Sequence, residues 1–244
     1  MQPREPLFPA DWLMHRDYVE ADLGVLKAGK ESEVRLVARY GEGRASLLAE
    51  KRFTPRTWRA FKNDHLYWAP SASGTRRESR AMQKGTRKGR EFIESRWIGA
   101  EWSNLVRLHD AGATVPPPVE PIERGYRMAF VGDDGVAAPR LASLRLDRES
   151  ARRVYGQVLD ELAILLSVRR VHGDLSPYNI LYWRSRAVLI DFSQTVDIVM
   201  HPAALELLRR DLAHVCAYVR SCGVAASVDE AMRALDAERA IVGR

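Results

Sequence analysis

His172-Gly173-Asp174-Leu175-Ser176-Pro177-Tyr178-Asn179, followed by Ile190-Asp191-Phe192, is the stretch that decides how this chain reads. The first eight residues form a polar turn carrying Gly and Pro. Short alternating runs follow, Ile180–Tyr182 and Ala187–Ile190, which read as two strands joined by a turn. Asp174 and Asn179 therefore precede a small hairpin, and Asp191 follows it. Phosphoryl transfer needs a carboxylate near the attacking hydroxyl and hard oxygen ligands for a divalent cation. Asp174 suits the first role; Asn179 and Asp191 suit the second. His172 reads as a brace for the loop rather than a base. A plain polar turn would have to match four residue types and their strand context by chance.

Upstream, Ala151, Val154, Tyr155, Val158, Leu159, Leu162, Leu165 and Leu166 hold a 3.6-residue period, with Asp147 as N-cap. Downstream, Pro202 suits the first position of a helix running to about Arg220. Ser227-Val228-Asp229-Glu230 reads as a capping box opening a last helix. The N-terminal part is different. Val34, Leu36, Ala38 and Tyr40 alternate along a strand, Gly41-Glu42-Gly43 turns, and Ala45 to Phe53 alternates again, so 24–53 is expected to be a hairpin of at least two strands. Residues 70–90 read as a long loop and 91–109 as a helix. A proline-rich break follows at Pro116, Pro117, Pro118 and Pro121, then a strand over 126–131 and a linker over 132–139. Strands first and helices later predict an α+β chain with two lobes.

Two further features carry chemistry. Gly24-Val25-Leu26-Lys27-Ala28-Gly29-Lys30-Glu31 nearly satisfies the P-loop pattern, but Glu31 stands where Ser or Thr should hold magnesium, and a strand follows instead of a helix. A glycine-containing turn between two strands, covering a nucleotide's phosphates, is the better reading. A purely structural hairpin turn would look similar. Lys51 shares the odd-numbered face of its strand with Ala45, Leu47, Ala49 and Phe53, where a lysine loses hydration without a partner. Glu101 lies on the helical stripe of Ile98, Trp102, Leu105 and Leu108. Two opposite charges on inward faces suggest an ion pair. In kinases such a pair orients the lysine onto the α- and β-phosphates. Taken singly, a snorkelling lysine and a marginal glutamate would suffice.

The chain has 244 residues, 46% hydrophobic and 29% charged, with a formal net charge of +6. These values fit an ordinary globular protein with one domain or two lobes. Cys216 and Cys222 match no zinc spacing and cannot build a disulfide framework. No apolar run reaches the length of a membrane span, and residues 1–20 lack a signal-peptide core, so the expected location is cytoplasmic and off the membrane. The charge is local. Between residues 75 and 90, Arg76, Arg77, Arg80, Lys84, Arg87, Lys88 and Arg90 oppose Glu78 alone, an excess equal to that of the whole chain. Such a loop could meet rRNA or an acidic substrate through phosphate electrostatics, or be a solvated loop. No aromatic residue interleaves the arginines, so base stacking is not indicated.

From about Gly24 to about Arg220 the chain resembles the RIO family of atypical protein kinases. The anchors are Ala28-Gly29-Lys30-Glu31-Ser32, Lys51, Glu101 with Asn104-Leu105, Pro116, Met128-Ala129-Phe130-Val131-Gly132, and His172 to Ser176. Asp191-Phe192-Ser193-Gln194 and His201-Pro202-Ala203-Ala204-Leu205-Glu206-Leu207-Leu208-Arg209-Arg210-Asp211 complete them. The resemblance implies a bilobal protein-kinase-like fold, with a small β-rich N-lobe and a larger, mostly helical C-lobe. The expected organisation is a lead-in over 1–22, an N-lobe over 23–131, a hinge over 132–139 and a C-lobe over 140–244. It implies ATP with Mg2+ or Mn2+ between the lobes, Asp174 as catalytic aspartate, and Asn179 and Asp191 on the metal. Lys51 with Glu101 would serve the phosphates, Gly29, Lys30, Glu31 and Ser32 would form the phosphate loop, and Met128, Phe130 and Val131 would border the adenine. The family's metal aspartate can also accept phosphate, so Asp191 is a candidate for an aspartyl-phosphate during ATP turnover.

The implied function is a serine/threonine protein kinase or ATPase with an unknown protein acceptor. A place in ribosome maturation would bring in rRNA or the small subunit through Arg76, Arg77, Arg87 and Lys88. Gly173 stands where well-known members have Ala, and Pro177 where an acidic residue is common. The sequence shows neither a winged-helix domain nor a long basic tail, so the expectation is the short, bacterial-type form. Small-molecule kinases of the aminoglycoside and choline type share the His-Gly-Asp signature and Gly173, and are the alternative. The stretch 192–244 leaves little room for the acceptor subdomain they carry. A non-enzymatic, ATP-gated RNA-binding assembly factor is the third reading.

Overall fold

The computed structural model describes residues 6–54, 87–237 and 241. By their contacts these fall into two compact units, residues 6–54 with 116–137, and residues 87–115 with 138 onward. The first unit is one antiparallel five-stranded sheet. Its strands are β1 (Val19–Ala28), β2 (Ser32–Gly41), β3 (Arg44–Phe53), β4 (Pro118–Ile122) and β5 (Gly125–Ala129), in the order β1-β2-β3-β5-β4. β2 and β3 form a register-perfect hairpin from Ser32↔Phe53 to Gly41↔Arg44. Its two-residue turn needs positive φ at both positions, which Glu42 (49°) and Gly43 (72°) adopt. The lead-in ends sooner than its composition indicated, because β1 already starts at Val19.

The prolines did not break the sheet. Pro118 and Pro121 lie in β4, the outermost strand, where a missing N–H breaks no ladder bond on the solvent side. Residues 132–139 likewise hold a small hairpin, β6 (Gly132–Asp133) with β7 (Val136–Ala137), where a plain linker was expected.

β3 also departs from simple alternation. Ala49, Lys51 and Phe53 are buried as expected, but so are Ser46, Leu48 and Glu50 on the opposite face. The residues 12–14 account for part of this, since the Ser46 hydroxyl donates to Trp12 O (2.7 Å) and accepts from Met14 N (3.0 Å). Charge accounts for the rest. Glu50 accepts from Arg52 and from Arg127 Nε (2.6 Å), and Arg127 reaches Glu20 and Glu120, which also hold buried Arg39. Three guanidiniums and three carboxylates thus satisfy one another across all five strands, so Glu50 can be buried without becoming an isolated charge.

The second unit contains α1 (Arg87–Asp110), α2 (Arg148–Ser167), α3 (Ala204–Ser221) and α4 (Val228–Ala234). Between α2 and α3 lie β8 (Arg170–Val171), a 3-10 turn over Pro177–Asn179, the hairpin of β9 (Ile180–Trp183) with β10 (Arg186–Leu189), and β11 (Val196–Asp197), which pairs with β8. α1 begins four residues before the sequence pattern indicated. The expected loop residues Arg76 and Arg77 lie outside the described residues, and Arg87 and Lys88 start α1. Asp147 caps α2 as expected, accepting from the Ser150 backbone (2.8 Å) and hydroxyl (2.7 Å). Pro202 precedes α3 instead of opening it, with Ala203 as N-cap. The Ser227 hydroxyl makes no capping bond, while the first-turn carboxylate of Asp229 accepts from Arg209 at 3.0 Å.

The core of this unit runs between α2 (Val154, Val158, Leu162, Leu165), β10 (Val188, Leu189) and α3 (Leu208, Leu212, Val215, Val219), all fully or almost fully buried. Among the described residues no helix is long and apolar enough to cross a membrane. Leu165→Ala is expected to cost about 2–5 kcal/mol in denaturant titration, because Leu165 has no exposed surface. Val136→Ala, at 73% exposure, should stay within about 0.5 kcal/mol of wild type in the same measurement.

Candidate active site

β8 carries the chain out of the core and into His172. His172 has no exposed surface, and burial lowers its pKa to about 4, so the ring is neutral at pH 7. Its Nε2 lies 3.2 Å from Ile190 O, an acceptor, so Nε2 carries the proton. The ring packs on Phe192 with centroids 5.3 Å apart. His172 is therefore a brace between the turn and the Ile190–Phe192 segment, as its sequence context indicated.

Asp174 opens to solvent at the tip of the turn. Lost hydration still pushes its carboxyl above the ordinary value; the Asn179 hydrogen bond opposes that shift and the Asp191 charge adds to it. The Asn179 amide donates to Asp174 O (2.8 Å) and Oδ2 (3.1 Å), which closes the turn. Both bonds are made by Nδ2, and Oδ1 is left as an acceptor. Asn179 O in turn accepts from Ile190 N (3.0 Å), which fixes the residue before Asp191. Asp191 itself is left-handed, with φ of 69°. For a residue with a Cβ this costs about 1–2 kcal/mol, and the His172–Ile190 and Asn179–Ile190 bonds hold it there. Asp174, Asn179 and Asp191 thus belong to one hydrogen-bonded loop system within the second unit.

The residues beneath that loop went unassigned in the sequence. Asp211, on α3, is fully buried, and its two oxygens accept the backbone N–H groups of Gly173 (2.8 Å) and Leu175 (2.9 Å). Burial pushes its carboxyl up to about 7, against the pull of those two N–H groups. Arg210 donates to Gly173 O, and His214 Nδ1 lies 3.0 Å from Leu175 O. Gly173 has φ of 80°, and a Cβ there would stand 2.3 Å from Gln194 O. Asp211 had a legible signal: it shares the apolar stripe of Leu207, Leu208, Leu212 and Val215, the anomaly that drew attention to Lys51.

In the first unit, Gly29, Lys30 and Glu31 form the exposed turn between β1 and β2, and Ser32 opens β2. Gly29 N donates to Ser32 O (2.9 Å), while Thr54 donates from its backbone to Glu31 O (2.9 Å) and from its hydroxyl to Lys30 O (3.0 Å). The turn is therefore stapled to the end of β3. Lys51 is buried beside Phe53, its Nζ 5.3 Å from the ring centroid. Along the same sheet face Leu36, Ala49 and Phe130 pack with Leu26, Val34, Leu47 and Met128, and Val131 is buried next in sequence. In the second unit, Glu101 is buried on α1. Arg76 and Arg77 fall outside the described residues.

The family model described as the RIO domain matches residues 49–232. Human serine/threonine-protein kinase RIO1 is 33% identical over 194 residues, covering 79% of this chain and 32% of that protein. The RIO-type serine/threonine-protein kinase Rio1 of Thermoplasma acidophilum is 32% identical over 134 residues, covering 55% of this chain and 69% of its own length. The chain thus spans about a third of the human relative. Among solved structures, the Cydia pomonella granulovirus kinase PK-1 superposes with a TM-score of 0.52 at 12% identity, over 83% of this chain and 67% of that one. That likeness shows a protein-kinase-like α+β fold, and the RIO domain match over most of the sequence shows that this chain belongs to the RIO family of atypical kinases.

Proposed function

We propose that the chain is an ATP-dependent serine/threonine kinase in which Asp174 is the catalytic aspartate. The observation that carries the reading is the Asn179 amide closed onto Asp174 while Asn179 O fixes Ile190, immediately before a left-handed Asp191. Asp174 faces solvent, and the Asp191 charge is near enough to raise its carboxyl, which supports the reading of the two as one site. Family relatives named as serine/threonine kinases support the reading.

The donor set fits a hard divalent cation. Among the described residues no cluster of three His, Cys, Asp or Glu side chains gathers. Mg2+ typically takes one or two carboxylates and completes its shell with phosphate and water, which Asp191 and the Asn179 oxygen allow. Mn2+ would meet the same ligands. When bound, the cation would neutralise charge on the β- and γ-phosphates. Lys51 and the Gly29–Ser32 turn would hold phosphates, with Glu101 orienting the lysine. Met128, Phe130 and Val131 would offer an apolar border to the adenine. Asp174 then accepts the hydroxyl proton of a protein acceptor as its oxygen attacks the γ-phosphorus and ADP leaves. If Asp191 attacks instead, an aspartyl-phosphate forms and water releases it, giving ATPase turnover. The proposal places the protein in the cytoplasm. It extends to rRNA or the small ribosomal subunit through Arg76, Arg77, Arg87 and Lys88.

Asp174→Ala should lower ATP turnover by about 10²-fold or more; unchanged turnover would remove the assignment. Labelled ATP separates the two chemistries, since an acyl-phosphate is labile to hydroxylamine and a hydroxyl ester is stable in acid. Turnover should fall as pH drops through a value above the ordinary Asp pKa of about 3.9, because Asp174 must be ionised to take the proton. Asn179→Ala deletes the bond that lowers that pKa, so the acid limb should move to higher pH. Asp211→Ala leaves two buried N–H groups unsatisfied, with an expected loss of about 1–3 kcal/mol of stability and a lower kcat at unchanged ATP affinity. Neutralising Arg76, Arg77, Arg87 and Lys88 should flatten the salt dependence of RNA binding, and salt-independent binding would remove the RNA extension.

A further inference from the structure

Arg170 stands four residues before Asp174, in β8, and the loop just described makes no use of it. Its guanidinium has three acceptors. Nε donates to Asn104 Oδ1 at 3.0 Å, and Nη1 donates to Asp197 Oδ2 and to Arg169 O at 3.0 Å. The side chain is 15% exposed. Asn104 is buried on α1, one turn beyond Glu101. Asp197 pairs with Arg170 across β11 and β8, and closes the segment that leaves Asp191. Three parts of the second unit therefore meet on one guanidinium: the helix bearing Glu101, the strand feeding the catalytic turn, and the segment downstream of Asp191.

Asp197 is itself fixed. Its Oδ1 accepts from Val199 N at 2.9 Å, and its backbone carbonyl accepts from Met200 (3.2 Å) and His201 (3.0 Å). Burial pushes its carboxyl up, but the Val199 N–H and the Arg170 guanidinium outweigh that and hold it below the usual range. It is ionised at neutral pH. The guanidinium is a rigid planar fork, so two partners in different directions define its plane, which a lysine could not do. Regulated kinases order the segment after the metal aspartate by adding phosphate, which pairs with arginine. Here a carboxylate already sits on the arginine.

We infer that Arg170 is a positioning residue, a clamp through which Asp197 holds α1 and the Asp191 segment in register with the catalytic turn without phosphorylation of the chain. The inference rests on the kinase reading above for its catalytic consequence, though not for the clamp itself. The removal of Asp197 should be felt on α1, because the guanidinium that Asp197 fixes also bonds Asn104 on that helix.

Hydrogen exchange on the full chain, without nucleotide, tests the clamp. Asp197→Ala should raise exchange about fivefold or more at the amides of residues 99–110 as well as 196–201, while 204–221 keep their protection. Arg170→Lys, which keeps the charge and loses the fork, should loosen 99–110 to the same extent, and Asp197→Glu should restore it. Loosening confined to 196–201 in Asp197→Ala would overturn the clamp. In kinetics, Arg170→Lys and Asp197→Ala should each lower kcat about 10-fold with KM for ATP within about twofold. Phosphatase treatment of the wild type should leave kcat unchanged. An unaltered kcat in both variants, or a loss of kcat on dephosphorylation, would overturn the positioning role. A wild type without turnover would instead remove the kinase reading, and the exchange experiment would still decide the clamp.

Discussion

A buried carboxylate with two backbone N–H groups on it is the constraint from which the site follows. Asp211 comes from a helix, yet its oxygens accept the N–H groups of the residues on either side of Asp174. A free turn of this composition would sample many conformations, and each residue ordered costs on the order of 1–2 kcal/mol. Asp211 fixes the backbone, so the side chain of Asp174 needs to lose only its own rotamers. The cost is a carboxyl whose affinity for a proton is raised nearly to neutrality. Gly173 makes the grip possible, because a side chain there would collide with Gln194 O.

The loop, the hairpin and the following aspartate were legible because the pattern there is local in sequence. Asp174, Asn179 and Asp191 lie close in sequence, and strand alternation between them is short and clear. Lys51 was legible as a charge on an apolar face, and the α2 cap as an Asp followed by helical spacing. The residues missed act across distance. Asp211 lies far along the chain from the turn it holds, and Arg170, Asn104 and Asp197 come from three elements. No spacing rule joins them, and only the fold brings them together.

The sheet taught a different lesson. β3 was expected to have one buried face, and it has two, because charge replaced apolar cover on the second. Glu50, Arg52, Arg127, Glu20, Glu120 and Arg39 look like solvated residues when read one at a time. Cross-strand register makes them a balanced network instead. The prolines of β4 were read as a break for a similar reason, since nothing local says that a strand will be outermost.

The order of strands bears on how the chain comes to be folded as it is made. β1, β2 and β3 are consecutive and can zip together by hairpins alone. β5 must then pair with β3, Arg52 against Gly125, across everything synthesised between them. Closing so long a loop adds little to the final stability cost, since the entropy grows only logarithmically, but it delays the contact. Until then β3 presents an open edge carrying Leu48 and Glu50 without their cover. The three consecutive strands thus make an unfinished sheet until residues 118–129 supply its fourth and fifth strands.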